Sequence, residues 1–154
     1  MVGVGRGARP RPGRWRGTGP DRARFFADSD FVSLHVRLKP ATRGIITAED
    51  LLGMKPSASF INTSRSGLVA PGALDKALEA GRPGRLALDV FDTEPLTDAK
   101  DPLVNHPSVI ATPHIGYVTE DELDMQFADI YDQINAYAEG APIHMINPEA
   151  RGGQ

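Results

Sequence analysis

From residue 28 onward, short apolar runs alternate with stretches of helical periodicity, and this alternation restricts the chain to a narrow set of folds. The runs are Phe31-Val32-Ser33-Leu34, Ala58-Ser59-Phe60-Ile61-Asn62, Leu86-Ala87-Leu88-Asp89 and Val109-Ile110-Ala111. Short runs bounded by turn signals read as strands, and helices between successive strands demand a mostly parallel sheet. Thr47 to Met54 is predicted to be a short helix, with Thr47 as N-cap and Asp50 three residues on as a weak capping-box partner, stopped at Lys55-Pro56. Pro71 to Ala80 is predicted to be a second helix, apolar at Ala73, Leu74, Ala77 and Leu78 and ended by Gly81. The longest helix starts at Thr119, where Glu122 completes a capping box. Its apolar stripe, Leu123, Phe127, Ile130, Ile134 and Tyr137, runs until Gly140. That stripe is expected to dock on the chain's own sheet, with a subunit contact as the alternative.

With 154 residues and 40% apolar content, the chain can build one compact domain. It has no cysteine, which excludes disulfides, thiolate metal sites and cysteine nucleophiles, and no metal site is expected. No apolar run approaches the roughly 18 residues of a membrane span, so a soluble, cytoplasmic protein without a membrane partner is expected. The net charge of −3 hides an asymmetry. Seven arginines stand in residues 1–24 against the single acid Asp21, leaving −9 for the remainder. This opening is rich in Gly and Pro, with Val2, Val4 and Trp15 as its sizeable apolar side chains, so it cannot offset its ordering entropy. Residues 1–27 are therefore expected to form a disordered arm.

In an open parallel sheet the carboxyl ends of the strands line the crevice where ligands bind. Arg65 follows the second strand, Glu94 the third and His114 the fourth. Singly, each has an ordinary reading: a surface arginine, a solvated turn acid, a hydrogen-bonded structural histidine. Together they suit one chemistry. A guanidinium matches a carboxylate bidentately and polarises an adjacent carbonyl, while an imidazole supported by a carboxylate exchanges a proton with a carbonyl or alcohol oxygen. The substrate class is then a small 2-hydroxy or 2-oxo acid, and a nicotinamide is the economical two-electron partner.

The stretches "SDFVSLHVRLKPATRGII", "MKPSASFINTSRSGLV", "ALDVFDTEPL" and "TPHIGYVT" resemble the D-isomer-specific 2-hydroxyacid dehydrogenases, in order, across residues 28–149. The resemblance implies that Arg65 grips the substrate, His114 is the acid/base and Glu94 supports it. It implies that Asp89 bonds the nicotinamide carboxamide, and that His35, Val36, Pro40, Thr63, Ser64 and Gly116 lie near the cofactor, NAD with NADP left open. A strand-end acid satisfying local N–H groups is the other reading of Asp89. Ser66 replaces the glycine that most often follows the family's arginine, which would cost about 1 kcal/mol if the backbone there needed positive φ. Arg37 and Lys39 replace a proline and a threonine.

The fold expected is thus α/β: a partial Rossmann-like parallel sheet with flanking helices, a long C-terminal helix and a disordered N-terminal arm. The family's first βαβ unit and its substrate domain have no counterpart. Gly3-Val4-Gly5-Arg6-Gly7-Ala8 fits Gly-x-Gly-x-x-Ala, but only Met1-Val2 precede it, and Pro10 and Pro12 fall where a helix should follow. For residues 1–27 a truncated or out-of-frame reading is favoured over an arginine-glycine arm for nucleic acid, which is disfavoured because aromatic interleaving among its arginines is limited to Trp15, and over a targeting segment. Residues 28–149 then form a partial dinucleotide-binding domain, poorly active alone. The rival reading is a noncatalytic half-domain serving as a dimerisation or binding module, a homodimer through the Leu123–Tyr137 stripe.

Overall fold

A computed structural model describes residues 2–5 and 22–153. The chain divides into two compact units, residues 1–116 and 117–154. The first holds a five-stranded sheet in the order β1 (Val2–Gly5), β2 (Phe31–Leu34), β3 (Ser59–Asn62), β4 (Arg85–Leu88) and β5 (Val109–Ala111). Strands β2 to β5 run parallel, as the alternation predicts, whereas β1 pairs antiparallel with β2. The sequence reading places no strand at Val2–Gly5. The rest of the stretch 1–21, with its glycine match from Arg6 on and Trp15, lies outside the described residues, and so does the disorder expected of it.

Register explains the core. Val32, Phe60 and Leu86 stand side by side in one row, followed by Val109; Leu34, Asn62, Leu88 and Ala111 form the next. Alternate residues of β2, β3 and β4 are buried, which is the period of two expected of a pleated strand. Their buried face belongs to one cluster with Phe26 of α1 (Arg22–Asp28), Leu51 of α2 (Ala48–Leu52), Met54, and Ala73 and Ala77 of α3 (Ala73–Ala80). At about 1.5–3 kcal/mol for each large apolar side chain removed from water, these rows are the main stabilising term. The cap of α2 follows the sequence signal: Thr47 accepts from the Asp50 amide and Asp50 reaches back to the Thr47 amide. Gly81 ends α3 at φ 61, where a residue without Cβ carries no penalty. Gly84 meets a different demand, because a Cβ there would lie 1.8 Å from the Pro56 carbonyl oxygen.

Two helices escape the sequence reading. α1 (Arg22–Asp28) begins within the span 1–27 and ends one residue beyond it. Phe26 is buried in the core cluster, and Arg22 pairs with Asp50, Nε to Oδ1 at 2.7 Å and Nη2 to Oδ2 at 2.5 Å, while also donating to the Ile45 carbonyl. At the other end of α1 the Ser29 hydroxyl donates to the Phe25 carbonyl, and Lys55 Nζ donates to the Asp28 carbonyl and to Asp30. A cation at a helix C-terminus meets the negative end of the helix dipole. α4 (Pro102–Asn105) is a single turn capped by Asp101, which accepts from the Leu103 and Val104 amides.

The second unit is built on α5 (Glu120–Ala138), whose Thr119 hydroxyl accepts from the Glu122 amide. The sequence expects the α5 stripe to be covered. Instead no residue of α5 is buried, and Phe127, Ile134 and Tyr137 are exposed. No helix among the described residues is long and apolar enough to cross a membrane.

Candidate active site

The carboxyl ends of β3, β4 and β5 carry the three groups that the sequence places there. Asn62, the last residue of β3, is 1% exposed and accepts from the Ser64 amide at 3.0 Å while its own amide donates to the Arg65 carbonyl at 2.9 Å. This side-chain turn, typical of Asn at the end of a strand, aims Arg65 out of the sheet edge. The Arg65 side chain is exposed and donates to the Ser64 carbonyl at 2.6 Å. Ser66 opens a short 3-10 turn, Ser66–Leu68, and is not at positive φ, so the strain anticipated for a non-glycine residue does not arise.

Beyond β4, Glu94 returns to the edge with both oxygens engaged. Oε1 accepts from the Phe91 amide at 2.8 Å, and Oε2 lies 2.7 Å from His114 Nδ1. The Phe91 amide first and the His114 ring second hold the Glu94 carboxyl below its usual range, with the nearby Arg65 charge acting in the same sense. Both the imidazole and, more weakly, the guanidinium favour the ionised Glu94 carboxylate. The Nδ1 contact also sets the tautomer, with the Nδ1 proton directed at the carboxylate.

His114 occupies a left-handed conformation, φ 58, which costs a non-glycine residue of the order of 1 kcal/mol. Around it the His114 amide donates to the Thr112 carbonyl across Pro113, and the Thr112 amide to Leu88. Asp89, at the end of β4, is 2% exposed. Its Oδ1 accepts from the Thr112 hydroxyl at 2.5 Å and the Ile115 amide at 2.9 Å, and its Oδ2 from the Gly116 amide at 2.8 Å. Burial alone would raise the Asp89 pKa; the Thr112 hydroxyl and the two amides outweigh it and hold the carboxyl below its ordinary value. The geometry matches the local-satisfaction reading of this acid and leaves one Oδ2 lone pair for any outside donor.

The residues expected near a cofactor fall on adjoining strand ends. His35 Nε2 lies 2.9 Å from the Ser33 hydroxyl, the Val36 carbonyl accepts from the Ser64 hydroxyl at 2.9 Å, and Pro40 begins a 3-10 turn to Thr42. The Ser64–Val36 bond ties the loop after β2 to the loop after β3. Thr63 is exposed. A Cβ at Gly116 would stand 2.8 Å from Asp89 Oδ2 and 3.6 Å from the Thr63 Cβ, so Asp89, Thr63 and Gly116 form one close surface that a larger residue would fill. Arg37 and Lys39 are exposed. Sequence reasoning passed over Asn62 and Thr112, the two polar residues that shape this edge. An Asn-Thr-Ser end to a strand was the available sign of the first.

Beside the imidazole–carboxylate pair lies a cavity of about 260 Å³, walled by Phe91, Leu96, Val104, Ala111 and Pro113. A larger one of about 470 Å³ opens between α3 and the loop after β4, lined by Arg43, Asp75 and Asp92 among others and by neither Arg65 nor His114.

The family model described as D-isomer specific 2-hydroxyacid dehydrogenase, NAD binding domain, matches residues 16–116, starting inside the segment 1–27. D-3-phosphoglycerate dehydrogenase from Synechocystis sp. is 40% identical over 118 residues, covering 77% of this chain and 21% of that protein. Glycerate dehydrogenase from Methylorubrum extorquens is 35% identical over 127 residues, covering 82% of this chain and 40% of that one. The chain thus spans between about a fifth and two fifths of the length of these relatives. Among solved structures, the phosphoglycerate oxidoreductase from Vibrio cholerae superposes with a TM-score of 0.71 at 42% identity, over 80% of this chain and 39% of that one. With the family match covering most of the first unit, the chain belongs to the D-isomer-specific 2-hydroxyacid dehydrogenase family, through its NAD-binding domain.

Proposed function

We propose that this chain forms the acid/base and anion-binding edge of an NAD(P)-dependent oxidoreductase that interconverts D-2-hydroxy acids and 2-oxo acids, with residues 28–149 acting as its partial dinucleotide-binding domain. The observation that carries the reading is the 2.7 Å contact of His114 Nδ1 with Glu94, beside an arginine whose charge acts on the same carboxylate. When bound, the nicotinamide supplies or receives the hydride. Thr63 and Gly116, with the Val36–Pro40 loop, would wall its reactive end, Gly116 being the position where a side chain would crowd Asp89 and Thr63. Arg65 would hold the substrate carboxylate by its fork and polarise the neighbouring carbonyl. Because Glu94 commits Nδ1, the proton exchanged with the carbonyl or alcohol oxygen sits at His114 Nε2. A cytoplasmic location, where a nicotinamide pool is at hand, belongs to the same proposal.

The test is a fluorescence titration of NADH with the full chain, repeated with glyoxylate, hydroxypyruvate or pyruvate present. A saturable NADH signal that the 2-oxo acid modifies, with the acid's effect lost in Arg65→Ala, is the expected result. No saturable signal at millimolar protein would refute the reading. A second reading, a noncatalytic module that forms a homodimer, is favoured by one observation: Phe127, Ile130, Ile134 and Tyr137 of α5 are 46 to 76% exposed. Light scattering that shows a stable dimer, together with no NADH binding, would select it.

A further inference from the structure

The turn that carries His114 draws part of its hydrogen bonding from the neighbouring strand. After β5 the His114 amide closes a tight turn onto the Thr112 carbonyl, and the histidine then takes a left-handed conformation, which a side chain with a Cβ avoids unless its surroundings enforce it. The amides on the far side of the histidine, those of Ile115 and Gly116, point instead at a carboxylate from the neighbouring strand. The same carboxylate takes the Thr112 hydroxyl on the near side.

We propose that Asp89 is a positioning residue for His114: its carboxylate gathers donors from residues 112, 115 and 116, brackets the histidine, and so turns the ring onto Glu94. Three features support this. The carboxylate is almost fully buried, and each hydrogen bond described for it runs to this one loop. Gly116 allows an approach that a methyl group, 2.8 Å from Oδ2, would block. The Asp89 amide is itself fixed to the Asn62 carbonyl at 3.0 Å, so the bracket is anchored to β3, the strand that also delivers Arg65. The inference rests on the reading of His114 as the acid/base, yet its geometry can be tested without turnover.

The experiment uses proton NMR of the full chain. The low-field Nδ1 proton of His114, assigned by its disappearance in His114→Gln, and the Ile115 and Gly116 amides report the bracket. Asp89→Asn keeps the shape but turns part of the acceptor into a donor; Gly116→Ala leaves the charge and pushes the carboxylate away. In both, the low-field proton is expected to disappear or move upfield, and the two amides to exchange roughly tenfold faster, about the worth of one charge-assisted bond, while far-ultraviolet circular dichroism stays that of the parent. Thr112→Val, which removes one of three bonds, gives an intermediate change. A folded Asp89→Asn or Gly116→Ala chain with the imidazole proton and amides unaltered overturns the proposal. Should Asp89→Asn not fold, Gly116→Ala decides alone. NADH titration separates the two readings. Weaker NADH binding in Asp89→Asn with an unchanged imidazole proton means that Asp89 serves the cofactor directly, which also overturns the proposal. A parent chain that binds no NADH but loses the imidazole signal in both variants upholds the positioning role and defeats the assigned function.

Discussion

Removing Asp50 tests how the first helix is held. Its side chain is 7% exposed, pairs with Arg22, and accepts from the Thr47 amide at 2.7 Å and hydroxyl at 3.0 Å. A bond to a charged partner contributes about 1.5–3 kcal/mol when desolvated, but Arg22 is 35% exposed, so water re-solvates it and the pair is worth about 1 kcal/mol. The reciprocal cap adds about 1 kcal/mol. Asp50→Ala is therefore expected to lose about 2 kcal/mol and Arg22→Ala about 1 kcal/mol, with a coupling of about 1 kcal/mol in the double-mutant cycle. In urea denaturation followed by circular dichroism, Asp50→Ala should lower the midpoint by about 1 M. The pH dependence has a definite sign. Burial alone would raise the Asp50 pKa; the Arg22 pair and the Thr47 donors outweigh it, leaving it below its ordinary value. A depressed carboxylate contributes stability that is present above the unfolded pKa, about 3.9, and is lost as pH falls through the folded value. The difference between parent and Asp50→Ala should thus be full at pH 7 and shrink below about pH 4. A coupling near zero at pH 7, or a difference that grows in acid, would show that Arg22 and Asp50 are neighbours without being partners.

Gly84→Ala should cost about 3 kcal/mol or more, since its methyl meets backbone at 1.8 Å, whereas Gly81→Ala, with open space but positive φ, should cost about 1 kcal/mol; thermal melts of the two variants rank them. Carbon-13 titration of the Glu94 carboxyl should give a midpoint below the usual range. His114→Ala should move it up only part of the way, because the Phe91 amide is the larger cause. Thr119→Ala removes the acceptor at the start of α5 and should cost that helix about 1 kcal/mol, read as faster amide exchange over Glu120–Leu123.

Much of this architecture was legible in the residues, for local reasons. The four parallel strands announce themselves through bounded apolar runs, and the α2 cap through Thr47 and Asp50. The strand-end groups followed from topology: a parallel sheet delivers what comes after each strand to one edge. What stayed hidden depends on distant pairs. α1 has little apolar periodicity, and its anchors, Asp50 and Lys55, lie 28 and 27 positions from Arg22 and Asp28. The inward turn of Asp89 depends on donors 23 to 27 residues away. The α5 stripe predicted the helix correctly but not whether its apolar side would be covered, since periodicity marks a face and does not name what lies against it.

Asn62 breaks an otherwise apolar row, between Leu34 and Leu88, and both ends of its amide are spent on the Ser64–Arg65 backbone. Downstream, the Leu68 and Ile46 carbonyls are taken by the Ile46 and Ala70 amides, so the segment is stitched at either end. Swinging it open as a flap would strand an unsatisfied amide in the middle of the hydrophobic interior, at a cost of about 1–3 kcal/mol. If Arg65 holds an anion as proposed, the capture would come from torsions of its side chain, swinging from its resting place against the Ser64 carbonyl, with the main chain beneath it held in place.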